Sequence, residues 1–537
     1  MIIDAITSAL QTAFEAVGVE GPVVLSPSKF SDFQCNAALS GAKKLGRNPS
    51  EIALMVQKHV SQHANLSGVA IAASGGFINV DIGASAIERA LEQQVIAPTQ
   101  GDGEIVYLDF GGPNVAKPMH VGHLRSLVIG DSLQRILRFV GHNVVSDIHL
   151  GDFGLQMGLL LKQLEDVSTN DVTLEMLEEA YPIAAKRAKE DEDFKSEAQK
   201  LTAIVQCGFD NHAEIQKWKK FILVSMESVN RDISDLGILF TMLKGESDSQ
   251  TAIPRTLATL QRAGILEDDG GALITRACEP PMVLVTQNGT ALYSLTDLAT
   301  MDQRATNRNI PAARIIYVVD QRQSLHFKQI FEVADKVGIF DKNNLEHVGF
   351  GTVNGLDGRP LKTRDGGSPK LHDLIEAAKE KAAERNPEVA HQVAIAALKF
   401  ADLQNLRTSS YLFDLDRFVS FEGKTGPYLL YQAVRIKKLL SQNEAEFGSV
   451  KIGELSEERE LAFLLVTGFG LAIKKAVAEL SPKEIADFAY DLAQTFSRFY
   501  AVATIAGNPS RLALAKMALH QLETSLGLLG IEVPEAM

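Results

Sequence analysis

Residues 106–123 constrain the fold of this chain more than any other part of the sequence. Residues 106–110 are an apolar run typical of a buried strand, a Gly-Gly-Pro turn ends it, and a helix is predicted to begin near His120. His120 and His123 then share one face of the first helical turn, and Gly122 between them leaves the backbone open to a ligand. The N-terminus of a helix that follows a parallel strand attracts phosphate groups, and imidazoles placed there can donate hydrogen bonds to them. The segment therefore predicts a parallel sheet that binds a nucleoside triphosphate beside the two histidines.

The composition is that of an ordinary soluble globular protein, with a length that suits roughly three or four domains. The formal net charge of −14 does not by itself indicate a nucleic-acid partner, but it is compatible with a local basic surface. The three cysteines are far apart in the sequence, so neither disulfides nor a zinc site is expected, and no other metal site is predicted. The N-terminus lacks the basic start of a signal peptide, and the longest apolar run, residues 461–473, is too short to cross a bilayer. We therefore expect a cytoplasmic protein.

The hydrophobic periodicity divides the chain into three predicted domains. Residues 1–100 combine an amphipathic helix with short strands and predict a small α+β domain. Residues 101–395 open with a strand–helix–strand unit and predict a Rossmann-like domain with a parallel sheet, interrupted by a charged helical insertion at about residues 160–265. Residues 396–537 have helical periodicity throughout and predict a separate all-α domain. The expected fold class is therefore multidomain α/β.

A second segment, residues 355–367, has the glycine-rich, basic composition of a mobile loop. Lys362 and Arg364 can reach negative charge that develops on phosphates, and Thr363 adds a hydroxyl donor. On its own such a loop is more typical of a solvated surface. Its presence in the same predicted domain as the two histidines favours a role in the site.

Together these segments resemble the class I aminoacyl-tRNA synthetases. Residues 120–123 resemble the HIGH motif of that family, and residues 362–365 resemble a degenerate KMSKS loop. A closer resemblance is to the arginyl-tRNA synthetases, which have Pro-Asn-x-Ala-Lys-Pro before the HIGH motif, as at residues 113–118, and Gly-Asp-x-Gly-x-Gln, as at residues 151–156. The ending Leu-Leu-Gly-Ile-x-x-Pro-Glu-x-Met at residues 528–537 is also typical of them. The resemblance covers nearly the whole chain.

The resemblance implies ATP-dependent ligation of L-arginine to its tRNA through an arginyl-adenylate, with Mg²⁺ taken up together with ATP. We expect a monomer. The catalytic residues of the family correspond to Lys117, His120, His123, Lys362, Thr363 and Arg364. Its ATP-binding residues correspond to Pro113, His120, Gly122, His123, Gly351, Thr352 and Val353. Because the loop lacks the first lysine of the family pattern and has Arg364 at the second, Lys117 is expected to supply the missing charge, with a plain surface lysine as the alternative.

The resemblance also implies an arginine site made of Asp109, Asn114, Tyr293, Asp297 and Gln323. A guanidinium group requires acceptors that match its fork of donors, and Asp109 and Asp297 supply two carboxylates. An aspartate in a buried strand is otherwise an unusual choice, which favours a functional role for Asp109. Many relatives have a longer or different acid there, so its contact with the substrate is expected to be bridged by water. Gly111 and Gly112 replace small hydroxyl residues, so one hydroxyl contact is expected to be missing.

Asp152 and Gln156 belong to the segment at residues 151–156 and lie at the start of the next predicted helix. The resemblance suggests that they organise the floor of the active site. The alternative is an N-cap aspartate followed by a surface glutamine.

The all-α domain resembles the anticodon-binding domain of the family. Tyr428, Tyr431 and Arg435 share one face of a predicted helix, and aromatic rings beside an arginine suit stacking on single-stranded bases. From the sequence alone a buried aromatic stripe is an equal alternative. The resemblance implies that Lys437, Lys438 and Arg407 contact phosphates of the tRNA and that Met537 lies near the same pocket. It also implies that the N-terminal domain contacts the tRNA elbow through residues 76–79.

Two other functions stay open at this point. A class I synthetase for another amino acid would share both nucleotide motifs, although the guanidinium-binding set argues against it. A non-catalytic tRNA-binding paralogue would be expected to have lost a histidine or the cations of the loop, and this chain keeps them.

Overall fold

The computed structural model describes residues 2–63, 66–93, 103–208, 212–362, 368–443 and 447–537. The N-terminal elements are α1 (Ile2–Ala16), β1 (Ser26–Pro27), β2 (Phe33–Cys35), α2 (Ala37–Leu45), α3 (Pro49–His63), β3 (Val69–Ser74), β4 (Phe77–Ile82) and α4 (Ala84–Gln93). Their strands form an antiparallel sheet in the order β1-β2-β4-β3. α1 buries its apolar face, with Ile6, Leu10 and Phe14 fully enclosed. This is the small α+β unit that the sequence predicted.

A strand–helix–strand unit follows, made of β5 (Ile105–Phe110), α5 (Val121–Phe139) and β6 (Asn143–Asp147). The two strands pair in parallel, and Asp109 lies opposite Asp147 at their carboxyl ends. α5 is buried along most of its length and packs on both strands. Gly130 permits the close approach, because a β carbon there would come within 2.2 Å of the Phe110 ring.

Five helices occupy most of the stretch that was predicted as a helical insertion: α6 (Leu155–Gln163), α7 (Leu174–Glu190), α8 (Glu192–Cys207), α9 (Ala213–Asp235) and α10 (Ile253–Arg262). After them comes an antiparallel sheet of β7 (Glu267–Asp269), β8 (Ala272–Thr275) and β9 (Met282–Val285). β7 is an exposed run of acidic residues, so it has none of the apolar alternation that reveals a strand.

The central sheet is completed by α11 (Tyr293–Ala305), β10 (Arg314–Val318), α12 (Ser324–Lys336) and β11 (Leu345–His347). The strand order is β11-β10-β5-β6, and all neighbours are parallel. β5 therefore has β6 on one side and β10 on the other, so the order reverses at β5. Ligands of open α/β sheets bind at the carboxyl ends of the strands at such a reversal point.

The remaining elements are β12 (Val353–Asn354), α13 (Leu371–Ala383), α14 (Ala390–Leu403), β13 (Tyr411–Leu412), α15 (Leu415–Phe418), α16 (Gly426–Ser441), α17 (Ser456–Glu479), α18 (Lys483–Val502) and α19 (Pro509–Leu528). Two expectations need correction. The domain boundary placed after residue 395 falls inside α14, and the region beyond it is not purely helical because β13 pairs in parallel with β12. Strands of two residues have no measurable period, so the sequence carried no signal for them.

α17 is the one helix in the described ranges that is long and apolar enough to cross a membrane, and half of its apolar stretch is buried inside the structure. Leu461, Leu465 and Phe469 are among its buried residues, and α18 and α19 pack along it. Packing between helices accounts for the apolar composition of this face.

Buried polar contacts join the C-terminal helices to α5. The Lys399 ammonium is fully buried, donates to the Gly530 carbonyl at 2.7 Å and lies 3.4 Å from Asp131 of α5. Ser132 of α5 donates to the Leu528 carbonyl at 2.8 Å. The helix that carries both histidines is therefore anchored to the end of the chain.

Replacing Gly130 with alanine is expected to destabilise the protein by about 1–3 kcal/mol, because the new β carbon would overlap the Phe110 ring and push α5 away from β5. Gly527→Ala is the matched control, since Gly527 is also helical and has no heavy atom within 4 Å of the added β carbon. The control should be unchanged or slightly more stable. Urea unfolding followed by circular dichroism measures both variants, and equal stability of the two would contradict this packing.

Candidate active site

A cavity of about 790 Å³ opens at the carboxyl ends of β5, β6 and β10. This volume suits one or two small-molecule ligands. Its wall includes eight of the residues predicted to bind substrates: Asp109, Asn114, His120, Gly122, His123, Tyr293, Asp297 and Gln323. The fold therefore brings the histidine motif and all five members of the predicted arginine site to one space.

The start of α5 fixes the orientation of both histidines. His120 is the N-cap residue, and its Nδ1 accepts a hydrogen bond from the Gly122 N–H at 3.0 Å. Nδ1 of His123 accepts from the His120 N–H at 3.0 Å, and the two ring centroids are 4.1 Å apart. Because Nδ1 is an acceptor in both rings, the proton of each neutral imidazole is assigned to Nε2. Each ring therefore has an Nε2–H group that can donate to a ligand in the cavity.

Both rings are neutral at physiological pH. Burial lowers the pKa of His120, and the positive charges of Lys117 and Arg322 lower it further. Burial, with His120 and Lys117 nearby, lowers the pKa of His123 to about 3. The histidines thus act as uncharged hydrogen-bond donors.

Lys117 lies in the turn that precedes α5. Ala116 in this turn has a left-handed φ of 66°, and its N–H donates to Ser225 Oγ at 3.0 Å. The Lys117 ammonium stands 4.3 Å from the centre of the Tyr181 ring in α7, a cation–π contact. Within the described residues, neither Lys117 nor Pro113 is part of the cavity wall. Lys117 would have to leave Tyr181 to contact a ligand.

The basic loop is described only in part. Lys362 is exposed, whereas Thr363 and Arg364 lie outside the described residues. Beyond the gap, the Pro369 carbonyl accepts a hydrogen bond from the Val121 N–H, and the Leu371 N–H donates to the Met119 carbonyl. One flank of the loop is therefore attached to the first turn of α5, beside the histidines.

The other flank holds the three residues predicted to face adenine, Gly351, Thr352 and Val353. The Gly351 N–H donates to the Arg407 carbonyl, and the Thr352 N–H donates to Ser410 Oγ. In the described part of the chain these residues do not line the cavity, and the neighbouring Phe350 does.

Asp297 lies between two imidazole rings. Its Oδ2 is 2.6 Å from His326 Nε2, and its Oδ1 is 3.6 Å from His149 Nε2. Burial favours the neutral acid, but His149 and His326 outweigh it and lower the pKa of Asp297 to about 2. The Tyr293 ring packs edge-on against His326, with centroids 4.7 Å apart. Asp297 is therefore a fixed negative charge at the wall.

Asp109 already has a guanidinium partner within the protein. Nη2 of Arg304 donates to Asp109 Oδ2 at 2.8 Å and to Asp147 Oδ2 at 3.1 Å. Burial raises the pKa of Asp109, against the attraction of Arg304 and His149. Oδ2 of Asp109, which was predicted to contact the substrate, is therefore already bound by Arg304.

Six ionisable residues of the cavity wall were missed by the sequence analysis: His149, Tyr181, Glu246, Tyr317, Asp320 and Arg322. Burial raises the pKa of Glu246 to about 7, with His149, Asp297 and Asp152 as its charged neighbours. Glu246 lies near the end of the predicted helical insertion, and no strand pattern in the sequence there indicated that this residue reaches the central sheet. His149 lies two residues before the segment at residues 151–156 that carries the family resemblance, and this proximity was the available signal.

Asp152 does not cap α6, so that alternative is wrong. The N-cap residue is Gly154, and the Asp152 carboxylate accepts hydrogen bonds from the N–H and the hydroxyl of Ser247. Gln156 lines the cavity, and its amide donates to the Gly151 carbonyl at 3.0 Å. Both side chains therefore hold the backbone at this end of the cavity.

The predicted RNA-binding residues lie along α16. Tyr431 is 47% exposed, whereas the Tyr428 ring packs 5.9 Å from the Tyr490 ring and is partly buried. The Arg435 guanidinium stacks 3.9 Å above the Tyr500 ring. The face thus combines one open tyrosine with an arginine held flat on an aromatic ring.

The predicted phosphate contacts are less uniform. Lys438 is exposed, but Lys437 pairs with Glu523 and Glu535 at 3.1 Å each. The Arg407 guanidinium donates through Nη1 to the Gly349 carbonyl at 2.9 Å, so this donor is already used within the protein.

Two further predicted RNA-contacting regions are partly enclosed. Met537 packs partly buried against the core. In residues 76–79, Ile78 is buried and Asn79 accepts a hydrogen bond from Gln34.

One group of side chains in the described ranges has the spacing of a metal site: Asp235, His372 and Glu376. The Lys379 ammonium lies 3.5 Å from Asp235 and 2.8 Å from Glu376. A lysine therefore already supplies positive charge to this group, and we assign no metal to it.

Comparison with known families covers almost the entire chain. The family "tRNA synthetases class I (R), catalytic domain" matches residues 86–415, and "DALR anticodon binding domain" matches residues 429–537. "Arginyl tRNA synthetase N terminal domain" matches residues 1–82.

Individual proteins are similar over their full length. The arginine–tRNA ligase of Hyphomonas neptunium is 42% identical, with 99% of each chain covered, and that of Maricaulis maris is 42% identical, with 100% of each covered. The crystal structure of arginyl-tRNA synthetase from Plasmodium falciparum superposes with a TM-score of 0.85 at 26% identity over 99% of each chain. The arginyl-tRNA synthetase of Thermus thermophilus has the same fold, with a TM-score of 0.82 at 24% identity over 100% of each chain.

Proposed function

The chain belongs to the class I arginyl-tRNA synthetase family, and we propose that it ligates L-arginine to its cognate tRNA through an arginyl-adenylate made from ATP. Membership of the family implies arginine, ATP and tRNA as substrates. The observation that carries the assignment of the site is that the two histidines and the five arginine-binding residues open into one cavity.

Arginine binds at the acidic side of this cavity. Its guanidinium group pairs with Asp297, which stays ionised at physiological pH, and packs beside Tyr293. Asn114 and Gln323 supply amide groups for the polar end of the amino acid. Asp109 contributes negative charge from behind, through water, because Arg304 occupies one of its oxygens.

Activation needs no side-chain nucleophile. An oxygen of the arginine carboxylate attacks the α-phosphorus of ATP in line, the bond to the β-phosphate oxygen breaks, and pyrophosphate leaves. The Nε2–H groups of His120 and His123 donate to the phosphate oxygens as charge develops. Positive charge comes from Lys117 and from Lys362 and Arg364 of the loop, and Thr363 adds a hydroxyl donor. Mg²⁺ enters with the nucleotide and neutralises part of its charge.

The rate of activation at saturating arginine and ATP is expected to show no titration of His123 between about pH 6 and pH 8. Burial lowers the pKa of this histidine to about 3, so its ring stays neutral throughout that range. Pyrophosphate release measured across this range checks the prediction. The prediction would be contradicted if the kcat of the wild type fell on acidification with a midpoint near the ordinary histidine pKa and the kcat of His123→Asn did not.

The second step uses the tRNA. The 2′-hydroxyl of its terminal ribose attacks the carbonyl carbon of the adenylate, and AMP leaves. Tyr428, Tyr431, Arg435 and Met537 provide the anticodon surface, since the matched anticodon-binding domain contains the last three and begins at the residue after Tyr428. Members of this family generally require tRNA before the first step, and we extend that expectation to this chain.

The proposal includes a cytoplasmic monomer. Cys35, Cys207 and Cys278 are free thiols, which suits a reducing compartment. Light scattering of the purified chain should give the mass of a single copy, 58.3 kDa. Twice that mass would contradict the monomer.

Exchange of labelled pyrophosphate into ATP, with each amino acid in turn and tRNA present, tests the proposed specificity. We expect arginine alone to support exchange. Exchange with another amino acid would indicate a class I synthetase of other specificity. No exchange, with tRNA still bound, would indicate a non-catalytic tRNA-binding protein.

A further inference from the structure

His149 stands between the two carboxylates of the arginine site. Its Nδ1 is 3.9 Å from Asp109 Oδ2, and its Nε2 is 3.6 Å from Asp297 Oδ1. The side chain is only 15% exposed, yet neither ring nitrogen has a hydrogen-bond partner among the described residues. A buried imidazole flanked by two acids is stabilised as a cation, because each N–H then faces a negative oxygen.

The backbone holds this ring in place at some conformational cost. His149 has a φ of 48°, in the left-handed region that non-glycine residues rarely adopt. Its neighbours are fixed, since the Ile148 carbonyl accepts from the Gly112 N–H and the Leu150 N–H donates to the Lys244 carbonyl. Strain of this kind persists where the surrounding structure enforces it, and it clusters at functional sites.

Charged groups face His149 from every element around it. They come from β5, β6, the segment after β6, the turn at residues 246–249 and α11: Asp109, Asp147, Asp152, Glu246, Asp297 and Arg304. His326 lies beyond them, on the other oxygen of Asp297, and Tyr317 lines the same cavity. Burial opposes a charge on His149, but the attraction of Asp109 and Asp297 prevails and raises its pKa to about 10.

His149 also separates two cavities. Besides the main cavity, it lines a small polar one of about 40 Å³, whose wall includes Lys244 and Asp248. That volume is enough for a water molecule. A proton on His149 therefore has a polar space to enter other than the cavity proposed to hold the substrate.

We propose that His149 is the resident cation of the empty arginine site, and that binding of arginine expels its proton through the small cavity. The inference rests on the proposed function, because it takes the arginine guanidinium as the ligand of Asp297. When the arginine guanidinium binds to the same carboxylates, it repels the His149 imidazolium and neutralises the negative charge that stabilised its proton. The proton passes from a ring nitrogen to water and then to buffer, and no bond in arginine changes.

This exchange makes His149 a determinant of specificity. Arginine replaces one positive charge with another, so the acids stay paired. A neutral isostere such as citrulline brings no positive charge to replace that of the imidazolium. It therefore cannot displace the His149 proton from the two carboxylates. The affinity for arginine should also rise with pH below the pKa of about 10, by up to tenfold per pH unit while one proton is released.

Calorimetric titration of the full-length chain with L-arginine tests the proposal. The titration is run at one neutral pH in phosphate and in Tris, whose ionisation enthalpies differ widely. The difference between the two heats gives the number of protons released. We expect a release approaching about one proton for the wild type and close to none for His149→Gln. His347→Gln is the matched control, since His347 lies outside the cavity wall, stacked on Phe327, and this variant should release the proton as the wild type does.

The outcomes separate the two proposals. Arginine that binds the wild type with equal heats in both buffers would overturn the role of His149, whether or not the variant folds. Proton release that persists in a folded His149→Gln would also overturn it. A wild type that neither binds nor activates arginine would refute the proposed function, and this inference with it.

Discussion

Changing Asp297 to alanine should reduce kcat/KM for arginine by about a thousandfold, because removing one partner of a buried charge pair costs about 2–5 kcal/mol or more. Asp297 is the fixed negative charge of the site, held by His326 and facing His149. Without it, an arginine guanidinium would be buried beside two imidazoles, and Asp109, already paired with Arg304, would be the carboxylate left from the predicted arginine site. Aminoacylation over a range of arginine concentrations measures the effect.

Two further variants sharpen this result. Asp297→Asn keeps the shape of the side chain and should lose nearly as much activity, since charge is the property at issue. Asp302→Asn removes a charge from the same helix, where Asp302 pairs with Arg255 outside the cavity wall, and should leave the KM for arginine within about twofold. An Asp297→Asn enzyme that charges arginine as well as the Asp302→Asn control does would contradict the assignment of the pocket.

Changing His120 to asparagine should lower kcat for adenylate formation by about a hundred- to a thousandfold, the usual effect of losing one preorganised donor to a developing charge. The His120 ring has two functions, since its Nδ1 caps α5 while its Nε2–H remains available to the phosphate. Asparagine is a good N-cap residue, so its Oδ1 keeps the cap, while its shorter amide lacks the Nε2–H group. Rapid-quench measurement of a single turnover with ATP and arginine determines the rate.

The KM for arginine should stay within about threefold of the wild type, because the lost contact forms mainly in the transition state. His391→Asn, at an exposed position of α14, serves as the control and should retain full activity. An unchanged rate in a folded His120→Asn would show that the Nε2–H group does not contribute. A large loss of thermal stability would show instead that the cap was its main role.

The parts of this molecule that the sequence predicted are those specified locally. β5, the turn at residues 111–119 and α5 lie next to one another in the chain, so one apolar run and the turn residues define them. The parallel topology then brings Tyr293, Asp297 and Gln323 to the same edge as His120. The resemblance to a known family supplied the choice of those later residues.

The parts that escaped prediction depend on contacts between distant positions. Arg304 binds Asp109 across 195 residues of sequence, and nothing near either residue signals the pair. His149 gains its character from Asp109 on β5 and Asp297 on α11, which only the folded sheet brings together. Arg407 was predicted to contact phosphate, yet its Nη1 donates to the backbone carbonyl of Gly349, 58 residues earlier in the chain. Such pairings follow from the three-dimensional arrangement and have no period in the chain.

Charging of total tRNA with radiolabelled arginine by the wild-type chain, with and without ATP, tests the central claim most directly. We expect acid-precipitable arginine to accumulate only when ATP is present and to be lost in Asp297→Ala. A wild type that charges no tRNA, yet still retains tRNA on a filter, would contradict the account and leave a protein that binds tRNA without acting on it.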